Sequence, residues 1–422
     1  MLPNITPDTA GFSASRLDRV SNWLEQQVAS RRLAGCSVLI GRKGGVVYYN
    51  HDGMADIDQN KPFTRDTIVR IYSMTKPVTA VAAMILYERG AFQLDDRVTA
   101  FLPEFSETPV WAGGDIENVE AQKTPILIRD LFTHTSGLTY GWMSSNVIDE
   151  KYRTEKIDDA FHQNKSGTLK EAVEKLAAVP LLCQPGTQWN YGLSYDVLGR
   201  LIEIWSGRSL SEFFDQEIFA PLEMRDTGFT VPIECKDRFS SLYVPETGSS
   251  SPGTNALDQS IRGGLVLKEN YQESAYFNFY DACSGGGGLV STIDDYAAFC
   301  QMLLNGGEYG GLRLLGKKTV DYMRLNQLTD GKDMAGMGQP IWSETSYDGI
   351  GFGLGFAVVL DPVKASFISS VGEHHWGGIA STFFWVDPLE ELFTIFFTQL
   401  TPSSTYPIRR ELRTRVYQAL VS

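Results

Sequence analysis

At 422 residues, with a formal charge of −14 and 43% hydrophobic content, the chain is long enough for two domains or one domain carrying a large insertion. So acidic a chain reads neither as a nucleic-acid binder nor as a binder of anionic membranes. Five scattered cysteines (Cys36, Cys183, Cys235, Cys283, Cys300) and five histidines, only His374 and His375 adjacent, speak against a zinc or other metal site. The cysteines form no C-x-x-C pair, which suggests reduced thiols. The first twelve residues have neither a basic nor an apolar leader region, and no apolar run reaches the length of a membrane span. The expected location is cytoplasmic.

In chain order, Ser13 or Ser15 caps a first helix with Leu17, Val20, Leu24 and Val28 at helical spacing. Cys36 to Ile40 and Val46 to Tyr49 read as strands around the turn Arg42-Lys43-Gly44-Gly45. Next comes Ile71-Tyr72-Ser73-Met74-Thr75-Lys76-Pro77, which heads the apolar run Val78 to Tyr87. Pro77 belongs in a first turn, so a buried helix is expected to start near Ser73. Positions i and i+3 share a helix face, which brings Ser73 Oγ beside Lys76 Nζ. Burial and the positive end of the helix push an ammonium there toward a usable base. A serine beside such a base is an activated nucleophile. S-x-x-K arises about once by chance in a chain this long, so the motif alone is weak.

From about residue 95 strand alternation gives way to helical patterns, at Leu127 to Phe132, Leu169 to Ala178, Val197 to Trp205 and Leu210 to Phe219. Glu246 to Gly253 is a polar loop within this part. Strands return at Gly351 to Leu360, Ile379 to Val386 and Leu392 to Thr398, with a turn at Asp387 to Glu391. Pro407 opens a last helix with Ile408, Leu412, Val416 and Leu420 on one face. The expected fold is α+β. One antiparallel sheet, flanked by helices, is built from residues 1–90 and 285–422. A mostly helical part, 91–284, is inserted, and the active site lies in the cleft between them.

Four further motifs sit on this plan: His134-Thr135-Ser136-Gly137-Leu138, Tyr191-Gly192-Leu193, Ser284-Gly285-Gly286-Gly287-Gly288-Leu289, and Trp376-Gly377-Gly378 at the entry to the strand Ile379 to Val386. With Ser73-x-x-Lys76 they follow an order that resembles the serine β-lactamase and penicillin-binding protein superfamily over nearly the whole chain. The resemblance is nearest to class C β-lactamases and the family VIII carboxylesterases. It implies a β-lactamase/DD-peptidase-like fold and no cofactor. It makes Ser73 the nucleophile and Lys76 and Tyr191 its base partners, with either one taking the first proton. It also points to the backbone N–H groups of Ser73 and Ile379 as the oxyanion hole.

Two departures narrow the subgroup. The β-lactamases carry Tyr-x-Asn where this chain has Leu193, and Lys-Thr-Gly where it has Trp376-Gly377-Gly378. Trp376 cannot offer a cation to a β-lactam carboxylate, and an aromatic with two glycines suits a neutral ester. The family VIII esterases are similar in this replacement. The resemblance therefore implies a serine carboxylesterase acting on small short-acyl esters, with weak β-lactam hydrolysis as a side reaction. An acyltransferase, a β-lactamase or DD-peptidase, and a non-catalytic penicillin- or peptidoglycan-binding module stand as alternatives. No Gly-x-Ser-x-Gly elbow offers a second nucleophile. Trp376, Gly377, Gly378, Leu193 and Trp142 are the expected substrate-binding residues, and Tyr140 and Tyr276 to Tyr280 are candidates for an acyl pocket. His134 is read as shaping a loop, and His374 and His375 as surface or packing residues.

Overall fold

The hairpin read from the sequence seeds the sheet in the computed structural model, which describes residues 2–161, 167–246, 263–338 and 347–421. His162 and residues 247–253 of the polar loop lie outside the described residues. Strands β1 (Gly35–Arg42) and β2 (Gly45–Asp56) are joined by Lys43 and Gly44, both at positive φ, 52° and 81°. Two left-handed residues give the tight turn whose twist matches its flanking strands. The other strands are β3 (Lys61–Pro62), β4 (Ile350–Phe352), β5 (Ala357–Val359), β6 (His374–Gly377), β7 (Phe383–Asp387) and β8 (Leu392–Thr398). All pairings are antiparallel, in the order β4-β5-β6-β7-β8-β1-β2-β3. The two ends of the chain meet at the centre, where β1 pairs with β8 from Cys36 opposite Thr398 to Arg42 opposite Leu392.

Both faces of this sheet are covered. Helices α1 (Ala14–Ala29), α2 (Thr75–Glu88), α3 (Ser194–Ser206), α4 (Ile293–Leu304) and α5 (Ile408–Tyr417) supply much of the cover. Along β8, Phe393, Ile395 and Phe397 enter the larger core, while Leu392 and Phe396 enter the smaller one. A period of two sends alternate side chains to opposite faces. Leu17, Val20 and Leu24 of α1, with Ile408, Leu412 and Val416 of α5, close the smaller core. The larger core holds α2, α3 and α4.

Two expected strands resolve differently. Gly351 to Leu360 is a hairpin of β4 and β5, because Gly353 to Gly355 turns over α2. Gly355 has φ 117°, and a Cβ there would lie 2.6 Å from Ala80 Cβ. The second strand begins at Phe383 rather than Ile379, so Trp376-Gly377-Gly378 finishes β6 instead of opening a strand. A turn intervenes, with Gly378 N–H donating to Thr382 O at 2.8 Å and Ser381 at φ 67°. Among the described residues of the middle of the chain helices outnumber strands, with small strand pairs at 110–111 with 119–120 and at Leu242–Pro245 with Leu265–Glu269. Among the described residues no helix is long and apolar enough to cross a membrane.

Candidate active site

Helix α2 is buried at every position from Thr75 to Leu86, in keeping with the largely apolar run from Val78 that has almost no polar face. It begins two residues later than expected. Ser73 lies in a 3-10 turn, Tyr72–Met74, that leads into the helix. Met74 N–H donates to Ile71 O at 3.0 Å, and the Tyr296 hydroxyl donates to Met74 O at 3.0 Å, pinning that turn. Tyr72 takes φ 42°, a costly conformation for a bulky residue, directly before the serine. Lys76, one turn on, still returns to Ser73, with Nζ 3.2 Å from Oγ.

Lys76 is wholly buried, and its other partners are Tyr140 Oη at 3.1 Å and the Gly286 carbonyl at 2.7 Å. Among the described residues no carboxylate forms an ion pair with it. Desolvation therefore pulls its pKa down to about 7, against the opposing pull of the more distant Asp196. The glycine run places that carbonyl. Thr79 Oγ1 donates to Gly285 O at 2.7 Å and Leu289 N–H donates to Thr75 Oγ1 at 3.1 Å, laying the run along α2. Gly286 must be small, since a Cβ would stand 2.4 Å from Asp196 Oδ2 and 3.1 Å from Tyr140 Oη.

Tyr191 is buried, with its phenol in hydrogen-bonding reach of Ser73. Burial raises its pKa well above the ordinary value; contact with Ser73 opposes this. The Trp376 indole N–H lies near the phenol and also opposes the rise. Lys76 Nζ lies 4.6 Å from the centre of the Tyr191 ring. The loop carrying Tyr191 is clamped by the His134 segment. Asn190 N–H donates to His134 O at 2.8 Å, Asn190 Nδ2 to Leu138 O at 2.8 Å, and Gly192 N–H to His134 Nδ1 at 3.4 Å. His134, at φ 56°, sits among the rings of Trp189, Tyr191, Tyr195 and Phe352. Desolvation pushes its pKa well below the ordinary value, so it is neutral and shapes the loop, as read from the sequence.

Trp376 packs edge-on against Phe352 and 5.6 Å from the Tyr191 ring. Gly378 is pressed against the nucleophile's own approach, since a Cβ there would stand 2.4 Å from Ile71 O. This brings the end of β6, and Ile379 after it, alongside the turn that holds Ser73. Trp142 is half-buried and stacks on Tyr140, with ring centres 4.9 Å apart. Leu193 is the exception. It is wholly buried in the larger core, where it offers no surface to a substrate, so its expected contact is withdrawn.

The aromatic candidates divide. Tyr140 faces Lys76 rather than an acyl pocket. Tyr276 and Tyr280, with Tyr72, Phe229 and Gly287, line a cavity of about 240 Å³. Phe279 is 58% exposed and lies outside it. His374 packs on the Phe356 ring at 4.6 Å, and desolvation lowers its pKa to about 3. His375 stands 3.2 Å from Glu373. Both are packing residues. Among the described residues no cluster of His, Cys, Asp and Glu could hold a metal ion.

Sequence reasoning missed four contributors. The Gly286 carbonyl and the Tyr140 hydroxyl meet Lys76. Asp196, a turn and a half beyond Tyr191, faces the back of the same group. Arg409 of α5 lies beside the oxyanion strand, where a Cβ on Gly377 would stand 2.4 Å from its guanidinium. All four meet the site across the fold. Two of them left a signal in the sequence, the glycine run and Tyr140, the latter as a candidate for an acyl pocket.

The β-lactamase family model matches residues 20–418. The protein Rv1367c of Mycobacterium tuberculosis is 34% identical over 376 residues, 88% of this chain and 86% of that one. Esterase EstB of Burkholderia gladioli is 31% identical over 97% of this chain and 96% of its own. The solved structure of EstCE1, described as a hydrolase with promiscuous acyltransferase activity, superposes with a TM-score of 0.76 at 28% identity, over 97% of this chain and 99% of that one.

Proposed function

The chain belongs to the β-lactamase family, and from that premise we propose that it is a serine carboxylesterase of the family VIII type, hydrolysing short-acyl esters through an acyl-enzyme on Ser73. The observation that carries this reading is the Lys76 amine, 3.2 Å from Ser73 Oγ and buried without an ion-pair partner among the described residues. With its pKa pulled down to about 7, the Lys76 amine gives up its proton in the neutral range, whereas the Tyr191 phenol keeps its own. This favours Lys76 as the first acceptor. Ser73 gives its proton to Lys76 as Oγ attacks the ester carbonyl. The N–H groups of Ser73 and Ile379 hold the oxyanion. Tyr191 protonates the departing alcohol and regains a proton from Lys76. Water then repeats the sequence on the acyl-enzyme and releases the acid.

Trp376, Gly377, Gly378 and Trp142 bound the substrate in this reading. The cleft lies between residues 1–90 with 285–422 and residues 91–284, a division supported by Ser73 and Tyr191 coming from opposite parts. The thiols are unpaired, which supports a reducing, cytoplasmic location. The resemblance to EstCE1 favours a second reading, in which an alcohol replaces water as acyl acceptor. Intact-protein mass spectrometry after a p-nitrophenyl phosphonate tests the first. One adduct on the peptide carrying Ser73 is expected, and an adduct elsewhere ends the reading. Product ratios with and without an alcohol separate hydrolysis from transfer.

A further inference from the structure

Lys76 can act as a base only if its lone pair faces Ser73. A neutral amine has two N–H donors and one lone pair. The Gly286 carbonyl only accepts, so it takes one N–H at 2.7 Å. The third neighbour, the Tyr140 hydroxyl at 3.1 Å, can donate or accept. If it donates, it consumes the lone pair and Ser73 is left without a base. If it accepts, the second N–H is used and the lone pair turns to Ser73. The direction of one buried O–H therefore decides whether the nucleophile is activated.

Something must take the Tyr140 proton, and two carboxylates act on this hydroxyl, Asp196 more strongly than Asp158. Asp158 is held by the Gly141 N–H at 2.9 Å, whereas Asp196 shares the face of Gly286 with Tyr140 Oη. Asp196 is wholly buried on α3. Its Oδ1 accepts from Ser284 Oγ at 2.6 Å and from Gly286 N–H at 3.2 Å. Its Oδ2 is buried without a partner among the described residues, and it lies with Tyr140 Oη against the α-carbon of Gly286. A buried oxygen without a donor is costly, so a donor is expected there. Tyr140 Oη is such a donor, directly or through one bridging water.

We propose that Tyr140 and Asp196 are positioning residues for Lys76: the Asp196 carboxylate orients the Tyr140 hydroxyl as an acceptor, which leaves the amine lone pair aimed at Ser73. The inference rests on the esterase reading above. Asp196 also acts on Lys76 through its charge, which favours the protonated amine. The groups facing Lys76 are Ser73, Tyr140, Tyr191, Tyr195, the Gly286 carbonyl and, further off, His134, kept neutral by burial, and Asp196. Of these Asp196 alone is a carboxylate; Asp158, whose pKa burial raises to about 7, acts on Tyr140 instead.

The test is the rate of Ser73 phosphonylation as a function of pH, in wild type, Asp196→Asn and Tyr140→Phe. Labelling of wild-type Ser73 tests the esterase reading by itself. The variants then test the inference. In Asp196→Asn the lost negative charge should move the acid limb to lower pH by about one unit, since a unit is the typical spread of a perturbed group. Its plateau should fall roughly tenfold or more as the hydroxyl turns, within the range general-base help supplies. Tyr140→Phe should lower the plateau similarly and leave KM for p-nitrophenyl butyrate within about twofold, because no substrate contact is removed. A role confined to folding would lower amplitude without moving the limb. If wild type labels at Ser73 and neither variant changes limb or plateau, the inference is overturned. An upward shift of the limb in Asp196→Asn overturns it too. Should Asp196→Asn not fold, an unchanged plateau in Tyr140→Phe is sufficient to reject it.

Discussion

Two wholly buried ionisable groups, Glu373 and Lys76, are built on opposite principles. Glu373, just before β6, is wholly buried, and Arg413 donates to it at 2.7 Å while the Tyr417 hydroxyl donates at 3.0 Å. Burial alone would raise its pKa, but Arg413 and His375 overrule that and hold it down at about 2. Lys76 is equally buried, yet its partners are a hydroxyl, a phenol and a carbonyl, and its pKa falls to about 7. A buried charge with a matched partner stays charged and serves the structure. A buried base without one sits near neutrality and is available for proton transfer. The comparison can be broken at either end.

The largest effect is expected at the nucleophile. Ser73→Ala should lower ester turnover by about 10³-fold or more, leaving only oxyanion and binding contributions. The side chain caps nothing, so stability measured by urea unfolding should change by less than about 1 kcal/mol. A variant that keeps most of its activity would place the chemistry elsewhere.

Next in size is the paired charge. Glu373→Gln leaves Arg413 buried without its counter-ion and should cost about 3 to 5 kcal/mol in urea unfolding. The surviving folded protein should keep the wild-type pH limb for Ser73 labelling. The same pairing predicts acid sensitivity. Its folded pKa of about 2 lies below the ordinary 4.5, so the stability it contributes is present above 4.5 and fades as pH falls toward 2. Equal stability of wild type and Glu373→Gln at pH 7 would contradict the assignment of Glu373 to structure.

At the unpaired end, Lys76→Met and Tyr191→Phe should each lower kcat by at least about 10²-fold. The double variant should be little worse than either single one, because they act as a unit. Additive losses would show that the two work independently. Lys76→Met should also be as stable as wild type, or more stable by about 1 kcal/mol or more, since it removes a buried amine with no counter-ion among the described residues. For wild type, kcat/KM should rise with pH through about 7, as Lys76 loses its proton.

The sequence exposed much of this plan because the elements concerned carry local signals. The hairpin at Lys43-Gly44 was marked by its turn residues, α2 by its largely apolar run and α5 by Pro407 and its spaced apolar residues. The errors came where tertiary contact overrides such signals. Gly355 turns because α2 lies beneath it, and Trp376 ends a strand because Gly378 must clear Ile71. Leu193 looked like a substrate contact from its place in the Tyr191 triplet, but the start of α3 turns it into the core. Tyr140 and Asp196 are 64 and 120 residues from Lys76 in the chain, and no periodicity reports a contact at that range.

The smallest expected effect concerns specificity, and it rests on Trp376. A cation near a β-lactam carboxylate is worth about 1.5 to 3 kcal/mol as a charge-assisted hydrogen bond. That is about one to two decades in kcat/KM, since each ~1.4 kcal/mol is tenfold. Trp376 supplies no such charge, and His374, with its pKa lowered to about 3, is neutral at pH 7. Arg409 does stand beside Gly377, which the sequence did not reveal, but it is stacked on Phe383, 5.7 Å from its ring centre, and already engaged within the protein. A neutral ester loses nothing by these features, and Trp376 gives it an apolar wall beside the Tyr191 ring. The expected outcome is good turnover of p-nitrophenyl butyrate, slow opening of the reactive cephalosporin nitrocefin, and weaker action still on ampicillin. The measurement is kcat/KM for the three substrates. Replacing Trp376 by Lys should narrow the gap by about one decade, because the new ammonium meets the carboxylate without altering Ser73 or Lys76. If wild type turned over ampicillin faster than the ester, Trp376-Gly377-Gly378 would not mark an esterase, and Arg409 would be the cation that replaces the missing lysine.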